Sequence, residues 1–349
     1  MIFAICISVL LLLFLAIMLI THQLIKLQFG RGSYQKPPTS ALFYRDYEDR
    51  YERKPVSFFS GKNRLQGYLY GEGNRKGVLV FAHGIGAGHE NYIGEILWMV
   101  DHGWQVFAYD ATGCCESEGK GSVGLVQSML DLDAALTHIE TDPAFAGLPI
   151  AVMGHSWGGY AAAAVLNLDH NITAAVSISG YAKPVAMMMR YAQKYMGSAM
   201  VLMYPFVWLD TLFTFGKNTF RTAVKGINRG DTPVLLVHGS EDELIPIPKL
   251  SVIGQVDKIT NPNVKTLVID GKGQTGHGTV FRNAESLPYI DRVNAEHQIL
   301  CEKYGGNVPD DELAKWVDSL DKKTINRPND ALLNEILRFL TDARERKTD

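Results

Sequence analysis

The stretch of fifteen residues 150–164 restricts the fold of this chain more than any other. Residues 150–153 are apolar and read as a buried strand. Gly154-His155-Ser156-Trp157-Gly158 reads as a sharp turn, and Gly159 with four alanines, 161–164, opens a helix that can lie close to the strand. A serine on such a turn takes a strained backbone and lifts its hydroxyl clear of the sheet. Glycines two positions before and after it remove side chains that would collide across the turn. This is the Gly-x-Ser-x-Gly nucleophile elbow. A working site built on it needs a base, an acid and donors for an oxyanion from elsewhere in the chain.

The N-terminus adds a second constraint. Residues 2–20 form an uncharged, almost wholly apolar run of 19. At about 1.5 Å per residue it spans roughly the 30 Å hydrocarbon core of a bilayer. A signal peptide would want a basic segment ahead of the run, a shorter apolar stretch and a small-x-small cleavage site; no Lys or Arg precedes this run, and residues 21–26 offer no such site. Residues 1–22 are therefore expected to be an uncleaved transmembrane anchor. Residues 23–54 are expected to be a tether, broken at Pro37-Pro38. Lys26, Arg31 and Lys36 follow the run and no basic residue precedes it, which puts the C-terminal domain on the cytoplasmic side by the positive-inside rule.

Further along, strand and helix signals alternate. Segments 56–60 and 65–70 around Gly61-Lys62-Asn63 read as an antiparallel hairpin. Segments 77–83, 104–110, 172–179, 232–238 and 264–270 read as strands, and 91–102 and 125–140 as helices. The second helix carries Leu125, Met129, Leu132, Leu136 and Ile139 at helical spacing. The alternation predicts an α/β fold with a doubly wound, mostly parallel sheet over 55–180 and 231–349. The intervening segment of about fifty residues exceeds a simple crossover. Met187-Met188-Met189 and the uncharged stretch 195–209 mark 181–230 as a helical cap with an adaptable apolar wall. Three further helices are expected at 282–304, 310–320 and 331–346.

A net charge of −3 lacks the basic face that nucleic-acid binding needs. The four cysteines do not make a disulfide framework in a chain of 349 residues, and the vicinal pair Cys114-Cys115 reads as two structurally incidental thiols rather than a redox switch. No spacing of His and Cys suggests a metal site, and no cofactor is expected.

Ser156, Asp242 and His277 each follow a strand, in that order. A serine hydroxyl is a poor nucleophile until an imidazole takes its proton. The imidazole in turn needs a carboxylate to fix its tautomer and stabilise its charged form. Three acids, Glu241, Asp242 and Glu243, share the loop after residue 238.

With these motifs in hand, the sequence resembles the α/β-hydrolase superfamily over about residues 56–281. It is most similar to the membrane-associated branch of monoacylglycerol lipases, lysophospholipases and serine aminopeptidase-like proteins. The resemblance rests on His83-Gly84, on the elbow, on His238-Gly239-Ser240-Glu241-Asp242 and on Gly276-His277. It implies Ser156 as nucleophile, Asp242 as acid, His277 as base, and an oxyanion hole from the backbone N–H groups of Ile85 and Trp157. It implies a structural role for His155. One loop departs from the family's Asp-x-Arg-Gly-x-Gly-x-Ser pattern: Asp110-Ala111-Thr112-Gly113-Cys114-Cys115-Glu116-Ser117 lacks the Arg and the second Gly, so that loop is expected to differ.

The implied activity is hydrolysis of carboxylic esters, with acyl glycerols or lysolipids as the candidate class. The implied partners are that small-molecule or lipid ester and, through the N-terminal helix, a membrane. The alternative is a serine peptidase or amidase. That activity needs groups to hold a charged amino terminus, and the cap has no acidic cluster. A non-catalytic membrane-bound protein on this fold would require a damaged triad, and none is visible.

Overall fold

In the computed structural model the chain is described over residues 1–32, 39–271 and 273–348; Lys36 and the Pro37-Pro38 break lie outside the described residues. The apolar run forms α1 (Ile2–Gln28). This helix passes its expected end at residue 22, since neither Gly nor Pro interrupts 21–28.

β1 (Arg53–Ser60) and β2 (Asn63–Tyr70) form the antiparallel hairpin. Its turn residue Gly61 sits at φ 57°, a region that glycine enters without steric cost. β3 (Val78–Ala82), β4 (Gln105–Tyr109), β5 (Ile150–His155), β6 (Ile172–Ile178), β7 (Val234–Gly239) and β8 (Val264–Ile269) follow. One eight-stranded sheet results, in the order β1-β2-β4-β3-β5-β6-β7-β8. β2 pairs antiparallel with β4, and the pairs from β4 across to β8 are parallel. Strands β3 to β7 are buried throughout, as strands covered on both faces must be. β8 is only half-buried, because it closes the sheet edge with β7 as its one neighbour.

Alternation along each strand feeds two cores. Val78, Val80 and Ala82 join the face covered by α3 (Gln127–Thr141) and α4 (Trp157–Ala164). Leu79 and Phe81 join the opposite face, covered by α2 (Ile93–Asp101) and, near the C-terminus, by Leu332, Leu333, Ile336, Phe339 and Leu340. Those five residues lie on α11 (Asp330–Thr348). It follows α8 (Leu287–Lys303), α9 (Asp310–Asp318) and the short α10 (Lys322–Ile325). The last of the expected C-terminal helices is thus a core layer of the sheet.

The segment between β6 and β7 holds α5 (Pro184–Met196), a 3-10 stretch Gly197–Met203, α6 (Tyr204–Phe215) and α7 (Ala223–Ile227). α7 packs back on α4, so the projecting part is a hairpin of α5 and α6. Met187, Met188, Val207 and Phe215 of that hairpin are buried in one cluster with Leu125 and Tyr181.

α1 is docked on this hairpin. The Phe14 and Phe206 rings lie 5.5 Å apart. His22 Nδ1 is 2.8 Å from Asp210 Oδ1, and Phe29 meets Tyr191 edge-on at 6.4 Å. Just beyond α1, Gly30 bridges to Gly121 and Gly32 to Cys114, and Arg31 donates to the carbonyls of Cys115 and Gly119. The start of the expected tether is therefore seated on the loop that departs from the family pattern. Cys114 is buried there, which pushes its thiol up to about 12, so it stays protonated at neutral pH. Cys6, Cys114 and Cys301 are free thiols.

Candidate active site

β5 carries Ser156 to the carboxyl end of the sheet, and α4 begins at the next residue. Ser156 sits at φ 57° and ψ −110°, a conformation that L-residues keep only where the surroundings enforce it. Its N–H donates to Ile178 O at 2.8 Å, and its carbonyl accepts from Tyr160 N at 3.0 Å. The two glycines are sterically required: a Cβ on Gly154 would overlap the Gly158 carbonyl, and a Cβ on Gly158 would overlap that of Ala82.

The loops after β7 and β8 bring Asp242 and His277 together, Nδ1 to Oδ2 at 2.8 Å. The other carboxylate oxygen accepts from the N–H groups of Leu244 and Ile245 at 3.0 and 2.8 Å. A second imidazole also reaches this acid: His238 Nε2 lies 3.2 Å from Asp242 Oδ2 and 2.8 Å from Ile245 O. Burial alone would raise the Asp242 carboxyl. The donors His238 and His277 and the Ile245 N–H outweigh it and hold the group well below the usual carboxylate range. Ionised Asp242 can only accept, so His277 carries its proton on Nδ1 and presents a bare Nε2. Glu241 and Glu243 are exposed; Glu241 instead accepts from Thr275 Oγ1 at 2.6 Å.

The loop after β3 lies against the elbow, so that a Cβ on Gly84 would come 3.6 Å from Ser156 Cβ. Two side chains fix it. His83 Nε2 accepts from Ala111 N at 2.9 Å, which leaves its proton on Nδ1 to donate to Gly84 O at 2.7 Å. Because a trans peptide sets its C=O and N–H on opposite sides, this bond turns the Ile85 N–H away from His83. The Trp157 N–H belongs to the first turn of α4, where N–H groups have no intrahelical acceptor.

The second fixing residue is Tyr92, which links three loops. Its hydroxyl accepts from Gly84 N at 3.1 Å and donates to His155 Nδ1 at 2.8 Å. His155 Nε2–H then donates to the carbonyl of His277 at 3.0 Å. Burial, aided by the neighbouring His277, pushes His155 down to about 3. His155 therefore stays neutral at physiological pH with both nitrogens engaged. A continuous line of hydrogen bonds thus joins the Gly84 loop, the elbow and the His277 loop.

This strand order, with its antiparallel second strand and a serine elbow after β5, has counterparts among known proteins. The family model described as serine aminopeptidase, S33, matches residues 73–218. The chain has the α/β-hydrolase fold. It is similar in fold to the esterase Pf2001 of Pyrococcus furiosus. One crystal form of that esterase gives a TM-score of 0.54 at 20% identity, over 79% of this chain and 98% of that one. Another gives 0.53 at 19%, over 81% and 98%. The acylaminoacyl peptidase of Pyrococcus horikoshii matches with a TM-score of 0.48 at 20% identity, over 65% of this chain and 38% of the peptidase. No curated protein matches the sequence. At these identities the likeness establishes the fold and leaves the substrate to the site itself.

One residue of this site carries no signal that a sequence reading would catch: Tyr92 lies at the start of a helix with no motif around it. His238 belongs to the motif that ends at Asp242, but its approach to that acid depends on how the loop folds back.

Proposed function

We propose that this hydrolase is a membrane-anchored serine esterase acting through an acyl-enzyme. Ser156 Oγ attacks the ester carbonyl carbon while His277 Nε2 takes its proton. The oxyanion is held by the N–H groups of Ile85 and Trp157. Collapse expels the alcohol, which receives the proton from His277; water then repeats the sequence and frees the acid. Asp242 keeps the proton of neutral His277 on Nδ1 and stabilises the imidazolium. The reading rests chiefly on one observation: an ionised, buried Asp242 2.8 Å from His277, with both on loops at the same sheet end as a strained Ser156.

The Met- and aromatic-rich, largely uncharged composition of the cap over 181–230 favours an acyl chain as the group bound. The long, uncharged and solvent-exposed face of α1 favours a membrane anchor, and the basic residues after it favour a cytoplasmic catalytic domain.

Amide or peptide hydrolysis is the second reading, since the matching family model is that of a serine aminopeptidase. The cap's charge argues against it. Residues 181–230 hold seven Lys or Arg and a single acid; that acid, Asp210, is already bonded to His22. Such a cap repels a protonated amino terminus. Detergent-purified full-length protein should therefore hydrolyse medium-chain p-nitrophenyl esters and leave aminoacyl p-nitroanilides intact. Faster turnover of the anilides would overturn the ester reading.

Tyr92 gives a test of the supporting line. Phenylalanine there leaves the His155 Nδ1 and the Gly84 N–H without their partner. An orphaned buried group costs about 1–3 kcal/mol. Tyr92→Phe should lower the melting temperature and reduce kcat on esters by about tenfold to a hundredfold. KM should change little, because the hydroxyl touches the loops that hold the reacting groups. A fall in stability with kcat unchanged would reduce Tyr92 to a packing residue.

A further inference from the structure

The α5–α6 hairpin combines three properties that its role as a cap does not require. Its turn is apolar and bare: Val201 is 71% exposed, Leu202 74% and Tyr204 49%. The segment that carries it is basic where the whole chain is acidic, with seven cations and one acid in 181–230 against a net −3 overall. It is also locked in register to α1. The His22–Asp210 pair, 2.8 Å apart, lies just past the end of the apolar run at Ile20. The Phe14–Phe206 contact lies deeper, in the middle of that run. Six residues separate Phe14 from Ile20, which at about 1.5 Å per residue sets Phe206 roughly 9 Å inside the run's end. α6 thus enters the apolar zone from its C-terminal side, and Tyr204, one half-turn before Phe206, reaches deeper still.

We propose that the α5–α6 hairpin is a membrane wedge. Its tip, Val201, Leu202, Tyr204 and Phe206, sits in the hydrocarbon layer beside α1, while exposed Arg190 and Lys217 meet anionic lipid headgroups. The inference rests on the reading of α1 as an anchor and goes beyond it, since an anchor alone leaves the cap in water. Segments of this kind bury an apolar face at the acyl boundary and draw added affinity from anionic lipid. Asp210 fits the arrangement: it is the one acid of the segment, it is buried, and its hydrogen bond to His22 lies at the level where the apolar run ends. In this arrangement the cap meets its ester at the bilayer and not in bulk water.

The test uses the full chain with its four native cysteines replaced by serine, reconstituted in phosphatidylcholine vesicles with and without phosphatidylglycerol. A polarity-sensitive dye is placed in turn at Leu10→Cys and Leu202→Cys, and doxyl groups on the lipid acyl chains quench it. Both dyes should be quenched, and the Leu202 signal should deepen when phosphatidylglycerol is present. Quenching at Leu10 with none at Leu202 overturns the wedge and leaves the anchor standing. Quenching at neither position overturns the anchor reading, and the wedge with it. A Leu202 dye that reports an apolar setting yet escapes the doxyl groups lies against a second copy of the chain and also overturns the wedge.

A functional arm follows. Carboxylates are strongly disfavoured at hydrocarbon depth, so the double variant Val201→Asp with Leu202→Asp should lose turnover of a vesicle-embedded ester about tenfold. Turnover of a soluble short-chain ester should stay within about twofold. Equal retention on both substrates counts against the wedge.

Discussion

Ser156→Ala is expected to reduce ester turnover by about 10⁶-fold in kcat, the scale found when a serine nucleophile is removed from a triad. The residual rate would come from the oxyanion donors and from binding. Such a variant must be shown to be folded, and the elbow supplies the control. Alanine inherits the backbone at φ 57° with the same Cβ, so its melting temperature should match that of the natural protein. Glycine has no Cβ and tolerates that conformation. Ser156→Gly should therefore be as inactive as the alanine variant and more stable by about 1 kcal/mol, the lower end of what such backbone strain stores. Thermal melts on the three proteins read the stability, and a fluorophosphonate probe reads the nucleophile, labelling only the natural serine. Undiminished hydrolysis by Ser156→Ala would remove Ser156 from the chemistry.

The elbow was legible in the sequence because its constraint is local: Gly154 and Gly158 are needed by the turn they flank, and the collisions that exclude other residues all arise within a strand, a turn and a helix. The order of the three candidate residues was legible for a similar reason, each being tied to the end of a strand. The choice among Glu241, Asp242 and Glu243 was settled in sequence only by analogy. Physically it depends on which carboxylate the loop turns inward, and only Asp242 is buried and bonded to imidazole. Contacts between distant segments left no trace in spacing. The α11 residues at 332, 333, 336, 339 and 340 announce an amphipathic helix, but nothing in them names the sheet face they cover. The pairs Phe14–Phe206 and His22–Asp210 span nearly two hundred residues, so a stretch that looks like a simple anchor proves to be packed on the cap.

Asp242→Asn is expected to lower kcat by about 10⁴-fold, as in triads whose acid is replaced by its amide. The loop would keep its shape, because the amide oxygen can still accept from the Leu244 and Ile245 N–H groups. The amide nitrogen would then face His277 Nδ1, which must become the acceptor. That moves the imidazole proton to Nε2, the atom that has to receive the proton of Ser156. The same nitrogen would face His238 Nε2–H, donor against donor, leaving His238 with Ile245 O alone. Some loss of stability should accompany the loss of rate, about 1–3 kcal/mol for mismatched buried groups. Its pH dependence has a definite sign. Asp242 is held below the usual carboxylate range in the folded protein, so it stabilises the fold above its unfolded-state value near 3.8 and loses that contribution as pH falls below it. The asparagine variant has nothing there to protonate. Its stability should therefore fall less steeply than that of the natural protein as the pH is lowered through this region, which urea titrations at stepped pH would measure. Glu241→Gln is the matched control: exposed and bonded only to Thr275 among the described contacts, it should keep turnover within about twofold. An inactive Glu241→Gln beside an active Asp242→Asn would transfer the acid's role to Glu241 and require the His277 loop to rearrange during catalysis.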